Sequence, residues 1–156
     1  MKVFNRGRGD GYVVVQFILI LAIMVVPAVP PAWGEPFATI GRVVGAALTV
    51  IGLLLGGVAF LQLGNNLTVF PKPKEGGWLV QNGVYAIVRH PIYTAVVSGA
   101  VGLSLFNQNL PSLILSLGLL VWFDLKSRYE ESLLAATYPD YAAYRARVKK
   151  LIPFIY

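Results

Sequence analysis

The sequence contains no cysteine, only one histidine and few charged residues. The absence of cysteine excludes disulfide bonds, thiolate metal ligands and a cysteine nucleophile, and it leaves the redox compartment undetermined. Because His90 is the single histidine, a site built from several histidine ligands is excluded, and we predict no bound metal. Charged residues make up 13% of the chain, against roughly 25% in soluble domains, which argues against a soluble protein.

Apolar residues make up 56% of the chain and fall in four blocks. The blocks cover residues 12–29, 40–63, 92–106 and 110–125. The last two are shorter than the about 20 residues of a full span, and the short polar stretch between them predicts a helical hairpin or a partly inserted pair. The predicted fold class is all-α: a polytopic membrane protein with about four transmembrane helices, in a single domain over 1–156, with a transmembrane pair in 1–64.

The first two blocks each allow a second interpretation. Block 12–29 follows basic residues, as in a signal peptide, but it is longer than the usual apolar region of about 7 to 15 residues, so we expect a retained transmembrane helix. The flanking residues are Lys2, Arg6 and Arg8 before it and Pro27, Pro30 and Pro31 at its end. Block 40–63 carries glycines four residues apart, Gly41 with Gly45 and Gly52 with Gly56. This spacing favours close helix packing, although ordinary glycine usage in membrane helices explains it equally well.

The basic residues gather at the ends of the apolar blocks. Apart from Arg42, they precede the first block, lie between the second and third (Lys72, Lys74, Arg89), or follow the fourth (Lys126, Arg128, Arg145, Arg147, Lys149, Lys150). The positive-inside rule then predicts four spans with both termini in the cytoplasm, and the compact length suits a prokaryotic inner membrane. Topology also accounts for the net charge of +6, so we do not predict nucleic-acid binding.

Two polar segments follow from this topology on the cytoplasmic side. Residues 65–91 form a long connection rich in proline, glycine and charge, and long ordered connections are commonly functional. Residues 126–156 have the pattern of an amphipathic helix that leaves the membrane, is broken near Pro139 and is closed by Pro153.

The hairpin brings chemistry-bearing residues from both segments together. A helix N-terminus beside His90 and Tyr93 lies opposite the carboxylates of Glu130 and Glu131. A ligand with both a carboxylate and an ammonium, such as an amino-acid-like moiety, would find partners for each.

These residues resemble those of a known family: the integral membrane methyltransferases that include isoprenylcysteine carboxyl methyltransferase and phosphatidylethanolamine N-methyltransferase. The resemblance covers residues 79–154 and depends on an ordered set of motifs. The motifs are Gly83-x-Tyr85, Arg89-His90-Pro91-x-Tyr93, Glu130-Glu131, Tyr-Pro-Asp-Tyr-Ala-Ala-Tyr and a terminal Ile152-Pro153-Phe154.

The resemblance implies a site for S-adenosyl-L-methionine in the 65–156 part of the chain. The implied cofactor-binding residues are Leu79, Val80, Tyr85, His90, Pro91, Ile92, Tyr93 and Glu130, with Glu131 as the alternative if the alignment slips by one. The implied catalytic residues are Lys126, Arg128 and His90. Lys126 stands where the isoprenylcysteine branch has arginine, and Gly77 stands where the family often has histidine. Lysine attracts a carboxylate as a point charge but lacks the bidentate fork of arginine.

The resemblance implies methyl transfer to a lipophilic acceptor that enters from the bilayer. We favour the carboxylate of an isoprenylcysteine-like substrate, which needs no base; a phospholipid amine would need one, with His90 or a glutamate as candidate. The expected partners are this lipophilic substrate and membrane lipids. A non-catalytic packing or adaptor protein of the same fold is the alternative from another class, and it predicts no cofactor affinity.

Overall fold

The computed structural model describes residues 9–29 and 33–156. Its helices are α1 (Asp10–Val25), α2 (Phe37–Leu63), α3 (Pro91–Phe106), α4 (Leu110–Thr137) and α5 (Tyr141–Arg147), with short 3-10 turns at Gly64–Asn66 and Gly83–Ala86. Helices are the regular elements of the described residues, which confirms the all-α class for that part of the chain. The predicted flanks of the first helix at Lys2, Arg6, Arg8, Pro30 and Pro31 lie outside the described residues.

Two helices have the length and apolar character needed to cross a membrane. These are α2 with the turn that follows it, Phe37–Asn66, and α4, Leu110–Thr137. Helices α1 and α3 have 16 residues each, which corresponds to about 24 Å and is shorter than a hydrocarbon core of about 30 Å. The structure therefore supports a membrane protein with two helices of spanning length, and four complete spans remain a prediction.

Helices α3 and α4 form the predicted hairpin. The connection is only three residues long, and its last residue, Asn109, caps α4 by accepting a hydrogen bond from Ser112 N at 3.0 Å. A proline in the first turn of each helix favours its start, because that position needs no N–H donor. The start of α3 and the second half of α4 are therefore neighbours.

The predicted end of the fourth apolar block at Leu125 is not the end of a helix. Helix α4 continues unbroken to Thr137, because residues 126–137 contain no glycine or proline and keep the helical period. It stops before Pro139, with Tyr138 in the extended conformation that a following proline favours. The predicted amphipathic C-terminal helix is thus divided between the end of α4 and the short α5, and it is not confirmed as a separate element.

Glycines allow α2 and α3 to pack with their backbones in close approach. A Cβ atom on Gly45 would lie 2.5 Å from Gly102 O, and one on Gly102 would lie 2.7 Å from Gly45 O. A Cβ on Gly52 would lie 2.8 Å from Ala95 O on the same face. The predicted close packing of the glycine-rich block is confirmed, and its partner is α3.

Helix α4 lies between α3 and α1. Leu119 and Phe123 of α4 form the buried centre with Val97 of α3, and apolar residues of α1 pack against them. Buried serines join the helices by hydrogen bonds: Ser104 Oγ lies 2.7 Å from Ser112 Oγ, and Ser112 Oγ donates to Ile23 O at 3.2 Å. In an apolar environment such bonds satisfy hydroxyl groups that lipid would leave unpaired.

Candidate active site

The connection between α2 and α3 is ordered by hydrogen bonds to the side chains of Asn66, at its start, and Gln62, at the end of α2. Asn66 Oδ1 accepts from Trp78 N at 3.1 Å, and Gln62 Oε1 accepts from Val84 N at 3.0 Å. Gly83 has φ +58°, a conformation that favours glycine, and a Cβ there would displace the Gln62 amide from its hydrogen bond with Val84 N. The connection therefore has a defined conformation, which holds Trp78 and its neighbours in place.

Tyr85 connects this part of the chain to α2 and α5. Its ring is buried, its hydroxyl donates to Ala59 O at 3.4 Å, and its carbonyl accepts from Tyr144 Oη at 2.6 Å. Burial raises the pKa of Tyr85 and of Tyr144 well above the usual range, so both phenols stay protonated as donors.

The segment before α3 pairs with residues 138–156, which follow α4, include α5 and are called the C-terminal segment. Arg89 N donates to Lys149 O at 2.8 Å and His90 N donates to Lys150 O at 3.1 Å, around a single parallel bridge between Val88 and Lys149. The backbone of His90 is therefore held from outside its own helix. The two polar segments meet on one side of the structure, as the hairpin argument predicts.

Glu131 and Arg89 form a buried ion pair next to His90. Glu131 Oε1 accepts from Arg89 Nε at 2.9 Å and lies 3.1 Å from His90 Nε2, and the Glu131 and Arg89 side chains are 5% and 9% exposed. Arg89 also donates to the carbonyls of Arg145 and Val148. Glu131 thus fixes one edge of the His90 ring and ties α4 to the C-terminal segment.

Glu130 points to the other side of α4, towards Tyr93. Tyr93 Oη donates to Glu130 Oε2 at 2.5 Å, and His90 Nδ1 lies 3.9 Å from the same oxygen. The rings of His90 and Tyr93 stack with centroids 5.3 Å apart, and Tyr93 stacks on Phe123 at 4.5 Å. His90 therefore lies between two carboxylates, with Nε2 on Glu131 and Nδ1 facing Glu130.

Lys126 is buried on the same side of α4, one helical turn before Glu130. Its ammonium donates to Gln16 Oε1 at 2.5 Å and to Val69 O at 3.1 Å, and it lies 5.0 Å from the centre of the Tyr93 ring. Within the described residues, no carboxylate comes within salt-bridge distance of Lys126. A lysine has three donors, so this buried cation keeps one proton and its charge for a further partner.

These side chains line one cavity of about 190 Å³ between the connection, α3, α4 and the C-terminal segment. The predicted residues that it brings together are Leu79, Val80, Tyr85, His90, Pro91, Ile92, Tyr93, Lys126 and Glu130. The predicted residues Arg128 and Glu131 line a second groove instead. Arg128 pairs with Asp124 at 2.6 Å, and its side chain is 65% exposed.

Sequence reasoning gave no role to several residues that line the cavity. These are Gln16, Asn66, Trp78, Tyr138, Tyr141 and Tyr144 among others. The tyrosines belong to the Tyr-Pro-Asp-Tyr-Ala-Ala-Tyr motif. The motif indicated that this part of the chain belongs to the site, but its spacing did not show which residues the tyrosines contact. Asn66 Nδ2 is buried and has no hydrogen-bond partner in the described part of the chain, so it offers an unused donor beside the cavity.

Comparisons with known proteins agree with this geometry. The family described as phospholipid methyltransferase matches residues 40–141. The protein-S-isoprenylcysteine O-methyltransferase of Schizosaccharomyces pombe is 34% identical over 109 residues, covering 67% of this chain and 46% of that protein. Protein-S-isoprenylcysteine O-methyltransferase B of Arabidopsis thaliana is 30% identical over 116 residues, covering 71% of this chain and 58% of that protein.

A more distant relative has a different description. A cobalt-zinc-cadmium resistance protein of Cupriavidus metallidurans is 25% identical over 142 residues, covering 90% of this chain and 61% of that protein. The chain thus spans about half the length of the curated relatives it matches. The family match covers about two thirds of the chain, including α2, α3 and α4 with the cavity between them. On this basis, and as its motifs predict, the chain belongs to the phospholipid methyltransferase family.

Proposed function

We propose that this protein binds S-adenosyl-L-methionine in the cavity and transfers its methyl group to a lipophilic acceptor, with the carboxylate of an isoprenylcysteine-like substrate as the favoured acceptor. The observation that carries the proposal is that one cavity is lined by a carboxylate, Glu130, that faces His90 at 3.9 Å, and by a buried lysine, Lys126, that has no carboxylate within salt-bridge distance among the described residues. Two relatives are named as protein-S-isoprenylcysteine O-methyltransferases, which supports an oxygen acceptor on the same class of substrate.

The residues of the cavity fit this cofactor. Glu130 accepts one hydrogen bond, from Tyr93, and its closest basic group in the described residues is His90 at 3.9 Å, so its charge is available to an ammonium. The unused Asn66 Nδ2 donor suits an acceptor atom of the ligand. Aromatic rings of Trp78 and Tyr138 line the cavity and suit a sulfonium cation and a flat base.

The methyl acceptor reacts by alignment. When bound, S-adenosyl-L-methionine would supply a methyl group activated on a sulfonium, whose S–CH3 bond would break to leave the neutral thioether S-adenosyl-L-homocysteine. The part of the protein is to align the acceptor oxygen with that methyl group. Lys126 holds an acceptor carboxylate through its remaining N–H donor, and the pairing compensates the lysine for its burial away from water. Val96 of α3 and Phe123 of α4 provide an apolar part of the cavity lining for the hydrocarbon part of the acceptor.

A phospholipid amine is the second candidate acceptor, favoured by the position of His90. An ammonium acceptor must lose a proton before it attacks. His90 lies between Glu130 and Glu131, at 3.9 Å and 3.1 Å, so it is placed to take a proton at Nδ1 while Glu131 holds Nε2. The carboxylate acceptor needs no such step.

We further propose that the cavity faces the cytoplasm. The connection 64–90 and residues 138–156 meet on one side of the helices, and both carry basic residues. The positive-inside rule assigns that side to the cytoplasm, and a prokaryotic inner membrane remains the expected location.

Calorimetric binding of S-adenosyl-L-methionine to the purified protein tests the cofactor site. Glu130→Gln should weaken binding by 10-fold or more, since it removes the charge that holds the ammonium. Glu35→Gln is the matched control, because Glu35 is exposed between α1 and α2, away from the cavity. If the folded wild-type protein does not bind the cofactor, the methyltransferase function is refuted and a non-catalytic adaptor is the remaining interpretation. If both variants weaken binding equally, the role of Glu130 is refuted.

Methyl transfer from radiolabelled cofactor then identifies the acceptor. An S-farnesyl cysteine with a free carboxylate should gain a methyl ester, which mild alkali releases as volatile methanol. The same compound as a carboxamide is the control and should gain none. Alkali-stable label in phosphatidylethanolamine, with none in the farnesyl compound, would establish the amine acceptor instead.

A further inference from the structure

A second concave surface lies on the opposite side of α4 from the cavity. It encloses about 520 Å³ and is lined by polar residues of α4, α5 and the C-terminal segment. We call it the basic groove, because its lining includes Arg89, Arg128, Arg145, Lys149 and Lys150 but one acidic side chain, Glu131. Methyl transfer as proposed above uses none of its exposed cations.

The charges of the basic groove are not balanced. Asp124 pairs with both Lys150 and Arg128, at 2.6 Å each, and Glu131 pairs with Arg89 at 2.9 Å and Arg145 at 3.6 Å. Each carboxylate thus serves two cations.

Three of these cations are open to the outside. The side chains of Arg128 and Arg145 are 65% and 61% exposed. Lys149 is exposed and has no carboxylate within salt-bridge distance among the described residues. An anion in the groove would therefore find several donors already oriented around it.

Exposed apolar residues lie directly beside these cations. Phe154 and Ile155 are 86% and 73% exposed, and Ile155 itself lines the groove together with Tyr156. On the α4 side, the groove begins within one turn of the end of the apolar stretch 110–125. Large apolar side chains next to arginine and lysine at the end of a membrane helix are typical of the boundary between headgroups and acyl chains.

We propose that the basic groove binds the phosphate group of an anionic phospholipid, whose acyl chains lie against Phe154 and Ile155. The positive charge favours an anion, and the adjacent apolar residues favour a lipid over a soluble phosphate. The occupant sits on the opposite side of α4 from Glu130 and Lys126, so its binding can be measured separately from methyl transfer.

Native mass spectrometry of the full chain in a neutral detergent tests this proposal, with dioleoyl phosphatidylglycerol as the probe and dioleoyl phosphatidylcholine as the zwitterionic comparison. The test variant is Arg145→Gln/Lys149→Gln. The control is Lys72→Gln/Arg147→Gln, which removes the same charge from exposed residues outside the groove. Each basic residue near an anionic lipid contributes about a five-fold factor in affinity, so the test variant should lose about thirty-fold and the control about three-fold or less.

Three results would overturn the proposal. The first is an equal loss in the test and control variants, which would show a general charge effect. The second is equal binding of phosphatidylcholine. The third is displacement of phosphatidylglycerol by a similar concentration of glycerol 3-phosphate, which would identify a soluble phosphate as the ligand. If the double variant does not fold, the single change Lys149→Glu gives the same readout at an exposed side chain.

Discussion

Glu131→Ala should destabilise the protein strongly because it breaks a buried ion pair. Removing one partner of a buried pair costs about 3–5 kcal/mol. Arg89 keeps two other acceptors, the carbonyls of Arg145 and Val148, so its guanidinium is not left wholly unpaired. His90 loses the partner of its Nε2 atom. We therefore expect the lower end of that range, about 3 kcal/mol, and about 1–2 kcal/mol for Glu131→Gln, which keeps one acceptor oxygen.

The neighbouring variant Glu130→Ala should behave in the opposite way. Glu130 is partly exposed to the cavity and accepts one hydrogen bond, from Tyr93. Its loss should cost about 1 kcal/mol of stability. It should, however, abolish binding of S-adenosyl-L-methionine if the carboxylate holds the ammonium. Two adjacent glutamates thus separate stability from binding.

Thermal melting in detergent and calorimetric binding, made on the same preparations, check this contrast. For a chain of this size about 3 kcal/mol corresponds to a fall in Tm of about 6–12 °C for Glu131→Ala, against about 2–4 °C for Glu130→Ala. Where Glu131→Gln stays folded, cofactor affinity should fall less than in Glu130→Ala. Normal melting of Glu131→Ala with lost binding, together with retained binding in Glu130→Ala, would refute the assignment and shift the cofactor to Glu131.

Three further predictions follow from particular residues. Lys126→Met should raise the KM for a carboxylate acceptor by 10-fold or more, with cofactor affinity nearly unchanged; loss of cofactor affinity instead would assign Lys126 to the cofactor. Gly102→Ala should lower Tm because a Cβ would lie 2.5 Å from Thr49 Oγ1, whereas Gly99→Ala on the same helix meets open space and should be near neutral; equal effects would contradict the α2–α3 packing. Because the chain has no cysteine, Gly34→Cys and Glu75→Cys report topology cleanly: an impermeant thiol reagent should label Gly34→Cys in intact cells and Glu75→Cys only after permeabilisation, and the reverse would invert the orientation.

The helices were predictable from the sequence because apolar blocks in a bilayer leave few alternatives. Three of the four blocks lie wholly within a helix of the structure, whereas the first extends four residues beyond the end of α1 at Val25. The polar stretch 107–109 gives the hairpin that brings His90 and Glu130 together. The break near Pro139 was predicted and coincides with the end of α4, but the unbroken course of α4 past Leu125 was not predictable in the same way. Hydropathy changes at Leu125, where the helix leaves its apolar surroundings, but the backbone has no reason to stop until Pro139.

The cavity was only partly predictable, since its residues come from segments distant in sequence. Motifs indicated His90, Tyr93 and Glu130, and the structure brings them together with Lys126. Gln16 of α1 escaped notice because a glutamine in an apolar block has no pattern of its own. Its role depends on the packing of α1 against α4, which brings it to 2.5 Å from Lys126.

The difference between Glu130 and Glu131 follows from helix geometry and explains the two faces of α4. Successive residues of a helix point about 100° apart, so the adjacent glutamates face different surfaces of α4. Lys126 and Glu130 are four residues apart and share the cavity, whereas Arg128 and Glu131 are three apart and share the basic groove. His90 contacts both glutamates because it packs across the helix. A ligand that draws Glu130 towards it therefore acts on the His90 ring. The other edge of that ring contacts Glu131, whose ion pair with Arg89 connects α4 to the C-terminal segment. Binding of a ligand in the cavity should for that reason stabilise the C-terminal segment. Hydrogen exchange measures this effect: the amides of Arg89 and His90, which donate to the C-terminal segment, should exchange more slowly when the ligand is bound.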